Sequence, residues 1–274
     1  MTAAPTAKPN PSAPARSKRS PLPPPFPAVA VQLIQQMQTP VVTAGDVARL
    51  IELDPSLTAS LLRLVNSPFF GMRREIGNVS EAVMVMGMGA VRRMVLSLAV
   101  ATPMRRSDVD AAFARDRWQH YVSCAAMARR LIDDDPAAAD LAFTAGLLHD
   151  IGQVQLLQLH GAAYVELQMQ AGGDLRALEA ERFGQAHDSL GADLLEAWGL
   201  PQAIADAARL HHAAPPLAAL TRVQQAVCVA NRLAGTPEQA AQALLSCPDT
   251  LAAPKDAVAQ ARAEIETLSS LLNG

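Results

Sequence analysis

Residues 54–68 read Asp54-Pro55-Ser56-Leu57-Thr58-Ala59-Ser60-Leu61-Leu62-Arg63-Leu64-Val65-Asn66-Ser67-Pro68, a helix with both of its ends written into it. Asp54 offers a carboxylate to the unpaired N–H groups of the first turn, and Pro55 at the first helical position has no N–H to leave unpaired. Leu57, Leu61, Leu64 and Val65 recur at the spacing that puts them on one face of a helix. Asn66-Ser67-Pro68 then stops it, because a proline disfavours helical backbone in the residue before it.

The same punctuation continues on both sides. Residues 28–37 form an apolar helix ahead of Pro40, and Thr43 can cap a second through Val47, Leu50, Ile51 and Leu53. Phe69-Phe70-Gly71 reads as a loop, Ser80-Glu81 as the start of a fourth helix, and Gly87-Met88-Gly89 as its separation from a fifth over 91–101. A long helix is expected over 110–131, and Asp135-Pro136 caps one that runs to His149-Asp150. Further helices run from Ala186-His187 to Trp198-Gly199, from Pro201 to His211-His212, over 220–233 and over 256–272. No period-two alternation of a half-buried strand appears, so the expected fold is all-α.

Half of the 274 residues are hydrophobic and only 18% are charged, enough to bury a sizeable core, and the low aromatic content suits helices. The four basic residues Lys8, Arg16, Lys18 and Arg19 precede any acidic one, whereas the rest of the chain has 19 basic against 26 acidic residues. The acidic body lacks the cationic footprint of a DNA or RNA binder. The proline-rich segment 1–22 cannot bury enough apolar surface to fold and is expected to be a disordered tail. Cys124, Cys228 and Cys247 form neither a disulfide framework nor a zinc spacing, and no apolar run suits a membrane span. The expectation is a cytoplasmic protein.

Five of the six histidines lie on or at the ends of apolar helices: His120, His149, His187, His211 and His212. His149 is followed directly by Asp150. Imidazoles from neighbouring helices with one carboxylate are how a helical bundle builds a divalent or two-metal site. The same groups could instead satisfy one another as a buried polar network. Arg92 and Arg93 read as a solvated helix face, Met84, Met86 and Met88 as core filler, and His160 as incidental.

Leu148-His149-Asp150-Ile151-Gly152 resembles the signature of the HD superfamily. Glu52, Asp54-Pro55, Leu57-Thr58, Leu61-Leu62, Leu64 and Asn66-Ser67 resemble the opening of the HDOD family in particular. So do Ala82-Val83, Gly87, Val91-Arg92, Trp118 with His120, Gly184 with His187, and the run from Gly191-Ala192 through Trp198 to Pro201. The likeness implies an HD-like helical bundle with an N-terminal helical subdomain, an HDOD domain over 23–216, and a C-terminal helical extension over 217–274 that partly completes the core.

By that resemblance the metal positions are His120, His149, Asp150, His187, His211 and His212, with Asn231 where HD enzymes carry a final aspartate. Iron, manganese or zinc would be the divalent metal. Three departures accompany the match. Asn231 is a neutral amide, Gln153 stands where cyclic-dinucleotide-cleaving relatives commonly have lysine, and Ala213-Ala214-Pro215-Pro216 replaces their acidic motif. The resemblance therefore implies a degenerate hydrolase relative, not an enzyme, used in bacterial regulation. Such a module transduces signals through other signalling proteins or a nucleotide-type ligand, with no DNA, RNA or membrane partner. The alternatives are a metal-dependent phosphodiesterase or phosphohydrolase and a structural scaffold.

Overall fold

The computed structural model describes residues 27–36, 39, 41–105, 111–172, 174–212 and 216–272. The expected tail over 1–22 lies outside them, as do Met37, Pro40, Asp110 and Pro215. Helix α1 (Ala28–Gln36) buries Val29, Ala30, Leu33 and Ile34. In α2 (Ala44–Glu52) the Thr43 and Asp46 side chains cap each other's backbone amides, satisfying two unpaired N–H groups at once. Asp54 accepts from the Ser56 and Leu57 amides to start α3 (Pro55–Val65), and Leu57, Leu61, Leu64 and Val65 are its buried face.

Asn66 does more than stop that helix. Its Nδ2 donates to the carbonyls of Leu62 and Ile76 at 2.9 Å each, and its Oδ1 accepts from the Ile76 amide at 2.7 Å. One amide side chain thus closes the whole excursion between α3 and the next helix. Within the excursion Pro68–Phe70 forms a 3-10 turn, tighter than the expected loop.

Helix α4 (Val79–Met86) is capped by Asn78, not Ser80, because the Asn78 oxygen reaches the Glu81 amide. Helix α5 (Met88–Arg105) extends past the expected end and carries Pro103 inside it. Two further readings are corrected in this half. Met84 is 76% exposed, so it is not core filler. Arg92 is buried, and Arg93 pairs with Asp140 at 3.0 Å and Glu264 at 2.8 Å, so neither arginine belongs to a solvated face.

Helices α6 (Ala111–Arg130) and α7 (Pro136–Leu148) pack closely side by side. A side chain at Gly146 would stand 2.9 Å from the Ala125 Cα, which explains the glycine. Three short helices follow, α8 (Ile151–His160), α9 (Ala162–Gln170) and α10 (Leu175–Phe183), where the sequence suggested none. Seven consecutive residues of α8, Ile151 to Leu157, are buried, so it has no polar face from which a helical period could be read. Leu156, Leu157, Tyr164 and Leu167 make a small second core there.

Helices α11 (His187–Ala197), α12 (Gln202–Leu210) and α13 (Arg222–Leu233) complete the bundle. Val227, Val229 and Ala230 of α13 are fully buried, with α13 against α6 and α7, so residues beyond 216 form part of the main core. After α14 (Pro237–Ser246), also unforeseen, α15 (Pro254–Ser269) lies along α6. The Trp118 indole donates to the Leu268 carbonyl at 2.9 Å. Every helical segment and turn among the described residues fits an all-α fold, and none of these helices is long and apolar enough to cross a membrane.

Candidate metal centre

His149 ends α7 and Asp150 opens α8, so the two side chains sit in a turn between helices. His187 is the first residue of α11, His211 ends α12 with His212 directly after it, and His120 lies within α6. Asp150 stands at the centre of them. Its Oδ1 lies 3.3 Å from His187 Nε2 and 3.1 Å from His211 Nε2. Its Oδ2 lies 3.3 Å from His149 Nε2 and 3.7 Å from His120 Nε2.

The far nitrogen of each ring explains this convergence. His149 Nδ1 meets the Gly146 carbonyl at 2.7 Å, and His211 Nδ1 meets that of Ala208 at 2.6 Å. His120 Nδ1 faces the Ala234 carbonyl at 3.4 Å. A carbonyl only accepts, so each Nδ1 carries the hydrogen, and a neutral ring then points its Nε2 lone pair inward. The Nε2 atoms consequently crowd together. His120 and His149 have Nε2 atoms 3.3 Å apart, and those of His187 and His212 are 3.0 Å apart.

This donor set fits a divalent cation. Asp150 Oδ1 and His211 Nε2 are buried without a hydrogen-bond partner, although only 3.1 Å separates them. Ligand atoms of Asp150, His187, His211 and His212 lie within 4.8 Å of one another, as do those of His120, His149 and Asp150. Asp150 is shared between the two groups, one oxygen toward each. Mixed imidazole and carboxylate donors suit zinc, iron or manganese. A cation held there would supply Lewis-acid polarisation of a bound oxygen.

Electrostatics divide the cluster: burial keeps His120, His211 and His212 neutral, whereas at His187, as at His149, burial is outweighed by neighbouring carboxylates, which favour the protonated ring. Burial penalises a charged His120, and neighbouring His149 adds to this, pushing its pKa down to about 4. His212 stands at the cavity mouth; shielding of its ring, then the nearby His211, also lowers its pKa. Burial likewise holds His211 down. At His149 burial opposes protonation, but the Asp150 charge outweighs it and raises the pKa well above the ordinary value. Asp150 itself is buried, yet its histidine neighbours hold it well below the usual carboxylate range. Cation binding would therefore displace a proton from this cluster.

His120, Asp150, His187, His211 and His212 line a cavity of about 770 Å³. Asn231 also lines that cavity. Gln153 is nearly buried, and its Oε1 accepts from Gln168 Nε2 at 3.0 Å. His160 stacks on Phe183 at 4.1 Å and takes no part. The sequence reading missed Arg117, Arg176 and Arg232, which also line the cavity. It missed Glu179 as well, a fully buried carboxylate behind His187. Leu175, Leu178 and Phe183 mark the inner stripe of α10, and Glu179 falls within that stripe; an acid at an apolar position was the available signal.

The HDOD domain family model matches residues 23–214. An uncharacterized protein of Treponema pallidum is 26% identical over 198 residues, covering 70% of this chain but only 38% of the relative, so the chain spans well under half of that protein's length. An HDOD domain protein of unknown function from Geobacter sulfurreducens has a similar structure, with TM-score 0.66, 23% identity, and coverage of 90% of this chain and 92% of the other. A Shewanella amazonensis protein, named only provisionally as a phosphohydrolase, superimposes with TM-score 0.68 at 21% identity, covering 91% of this chain and 94% of the other. These likenesses show the fold.

Proposed function

Since the chain belongs to the HDOD domain family, we propose that it is a non-catalytic signal-transduction module that holds a ligand or partner protein and relays that state. The observation that carries this reading is the poverty of charge in the cluster. Asp150 supplies the one carboxylate in either ligand group, and Asn231 and Gln153 present amides to the same cavity. Two cations need enough anionic ligand to hold both and to acidify a water between them. Gln153, tied to Gln168, cannot supply charge to a phosphoryl group.

Iron, manganese or zinc at the cluster would then be structural or ligand-holding. Signalling proteins and a nucleotide-type ligand are the partners this reading expects, in the cytoplasm and without DNA, RNA or a membrane. The unpaired Asp150 Oδ1 and His211 Nε2 favour a second reading, a metal-dependent phosphodiesterase or phosphohydrolase.

Turnover of cyclic dinucleotides and simple phosphoesters, measured after reconstitution with manganese or iron, separates the two. Each lost electrostatic contact costs on the order of a hundredfold in rate, so the wild-type protein should stay near background. Activity that emerges in the Asn231→Asp, Gln153→Lys double variant would support a decayed site. Robust wild-type turnover abolished by His149→Ala would establish the second reading.

A further inference from the structure

The histidine cluster differs in how its rings are held from behind. His149, His211 and His120 each rest an Nδ1 on a backbone carbonyl, whereas His187 Nδ1 meets the Glu179 carboxylate at 2.6 Å. Glu179 is fully buried and accepts two further hydrogen bonds. The His187 amide donates to its Oε2 at 2.8 Å, and the Tyr164 hydroxyl donates to its Oε1 at 2.6 Å. Gln168 in turn donates to Tyr164 at 2.8 Å and to Gln153 at 3.0 Å. A buried carboxylate is costly unless every lone pair it shows is satisfied, and here donors from α9 and α11 satisfy it.

We propose that Glu179 is a positioning residue that fixes the tautomer and ring orientation of His187, through its carboxylate charge, so that Nε2 presents a lone pair to a cation held with Asp150. The proposal rests on the reading of the cluster as a cation site. An anionic acceptor on the far nitrogen raises the basicity of the near one, and loss of such a partner commonly costs about 10- to 100-fold in metal affinity. The arrangement also has a structural consequence. Glu179 stands on α10 and Tyr164 on α9, so this carboxylate is one of the ties between the small second core and the cluster.

The full chain is the material for the test, with Glu179→Gln, Glu179→Ala and Tyr164→Phe variants. Nitrogen NMR of labelled histidine in metal-free protein, at alkaline pH where the ring is neutral, reads the His187 tautomer, and zinc titration reads affinity. Wild-type His187 should carry its hydrogen on Nδ1. Glu179→Ala should mix the tautomers and weaken zinc by about 10- to 100-fold. Glu179→Gln keeps the shape and an acceptor oxygen, so it should keep the tautomer and still weaken zinc by about tenfold. Tyr164→Phe should leave the tautomer intact. Unchanged zinc affinity in a folded Glu179→Gln protein overturns the proposal, as does an unchanged His187 tautomer in a folded Glu179→Ala protein. If the wild-type chain binds no zinc, the cation reading fails, and the tautomer measurement alone then decides the role of Glu179.

Discussion

Gly152→Ala is the smallest change that should pull the cluster apart. A Cβ at position 152 would stand 2.0 Å from the His187 carbonyl oxygen and 2.8 Å from the Gly191 nitrogen, where ordinary contact begins at 3.4 Å. The clash is with backbone, so no side-chain rotation relieves it, and α8 must move off the start of α11 by roughly 1.4 Å. Overpacking of a tight core costs typically about 1–3 kcal/mol, and the upper end applies when only helix movement can absorb it. For a chain of this length that is a fall of roughly 6–12 °C in melting temperature.

The same movement separates His187 from Asp150, which stand on opposite sides of the contact. Ligand distances in a metal site hold to within about 0.2 Å of their ideal values, so any zinc affinity of the cluster should fall as well. Calorimetry in chelator reads the packing term free of any metal, and zinc titration reads the geometry. Gly77→Ala is the control, since a Cβ there meets nothing within 4 Å. A chelated Gly152→Ala protein that melts within about 2 °C of wild type would refute the close-packing argument.

Arg93→Met should cost roughly 1–3 kcal/mol in urea unfolding, because it leaves Asp140 and Glu264 with weaker contacts to Arg129; a loss below about 0.5 kcal/mol would place the network among ordinary surface pairs. In metal-free protein His120, held down to about 4, should remain neutral between about pH 5.5 and 7.5, and an NMR titration centred near the ordinary imidazole value would contradict its burial. The sign follows from linkage. A depressed histidine pKa makes the unfolded chain bind more protons, so His120 costs stability as pH falls from about 6.5 toward 4. His149, raised instead, contributes stability below the unfolded value and loses it as pH climbs through its folded pKa.

What the sequence made legible follows from where information is local. Caps are local: Thr43, Asp54 and Asp135 each act within three residues of themselves, and all three cap the helices assigned to them. The candidate ligands were legible for a related reason. His149, Asp150, His187 and His211 stand at helix ends, so the signals that place the ends also place the ligands.

The shell behind them is not local. Gly152 is explained by the backbone of α11, and Glu179 by a ring eight residues later and a phenol fifteen residues earlier. Helix α8 stayed hidden because it is buried on every side over most of its length, which erases the contrast that reveals a period. Arg93 was misread for a similar reason: a helix can bury a guanidinium when another element supplies its carboxylates, and for Arg93 these come from α7 and α15. The Glu179–His187 pairing, proposed to set the ring's tautomer, is of this non-local kind. On that proposal, a chain that keeps every histidine but loses Glu179 would retain the readable motif and lose the fixed orientation of His187.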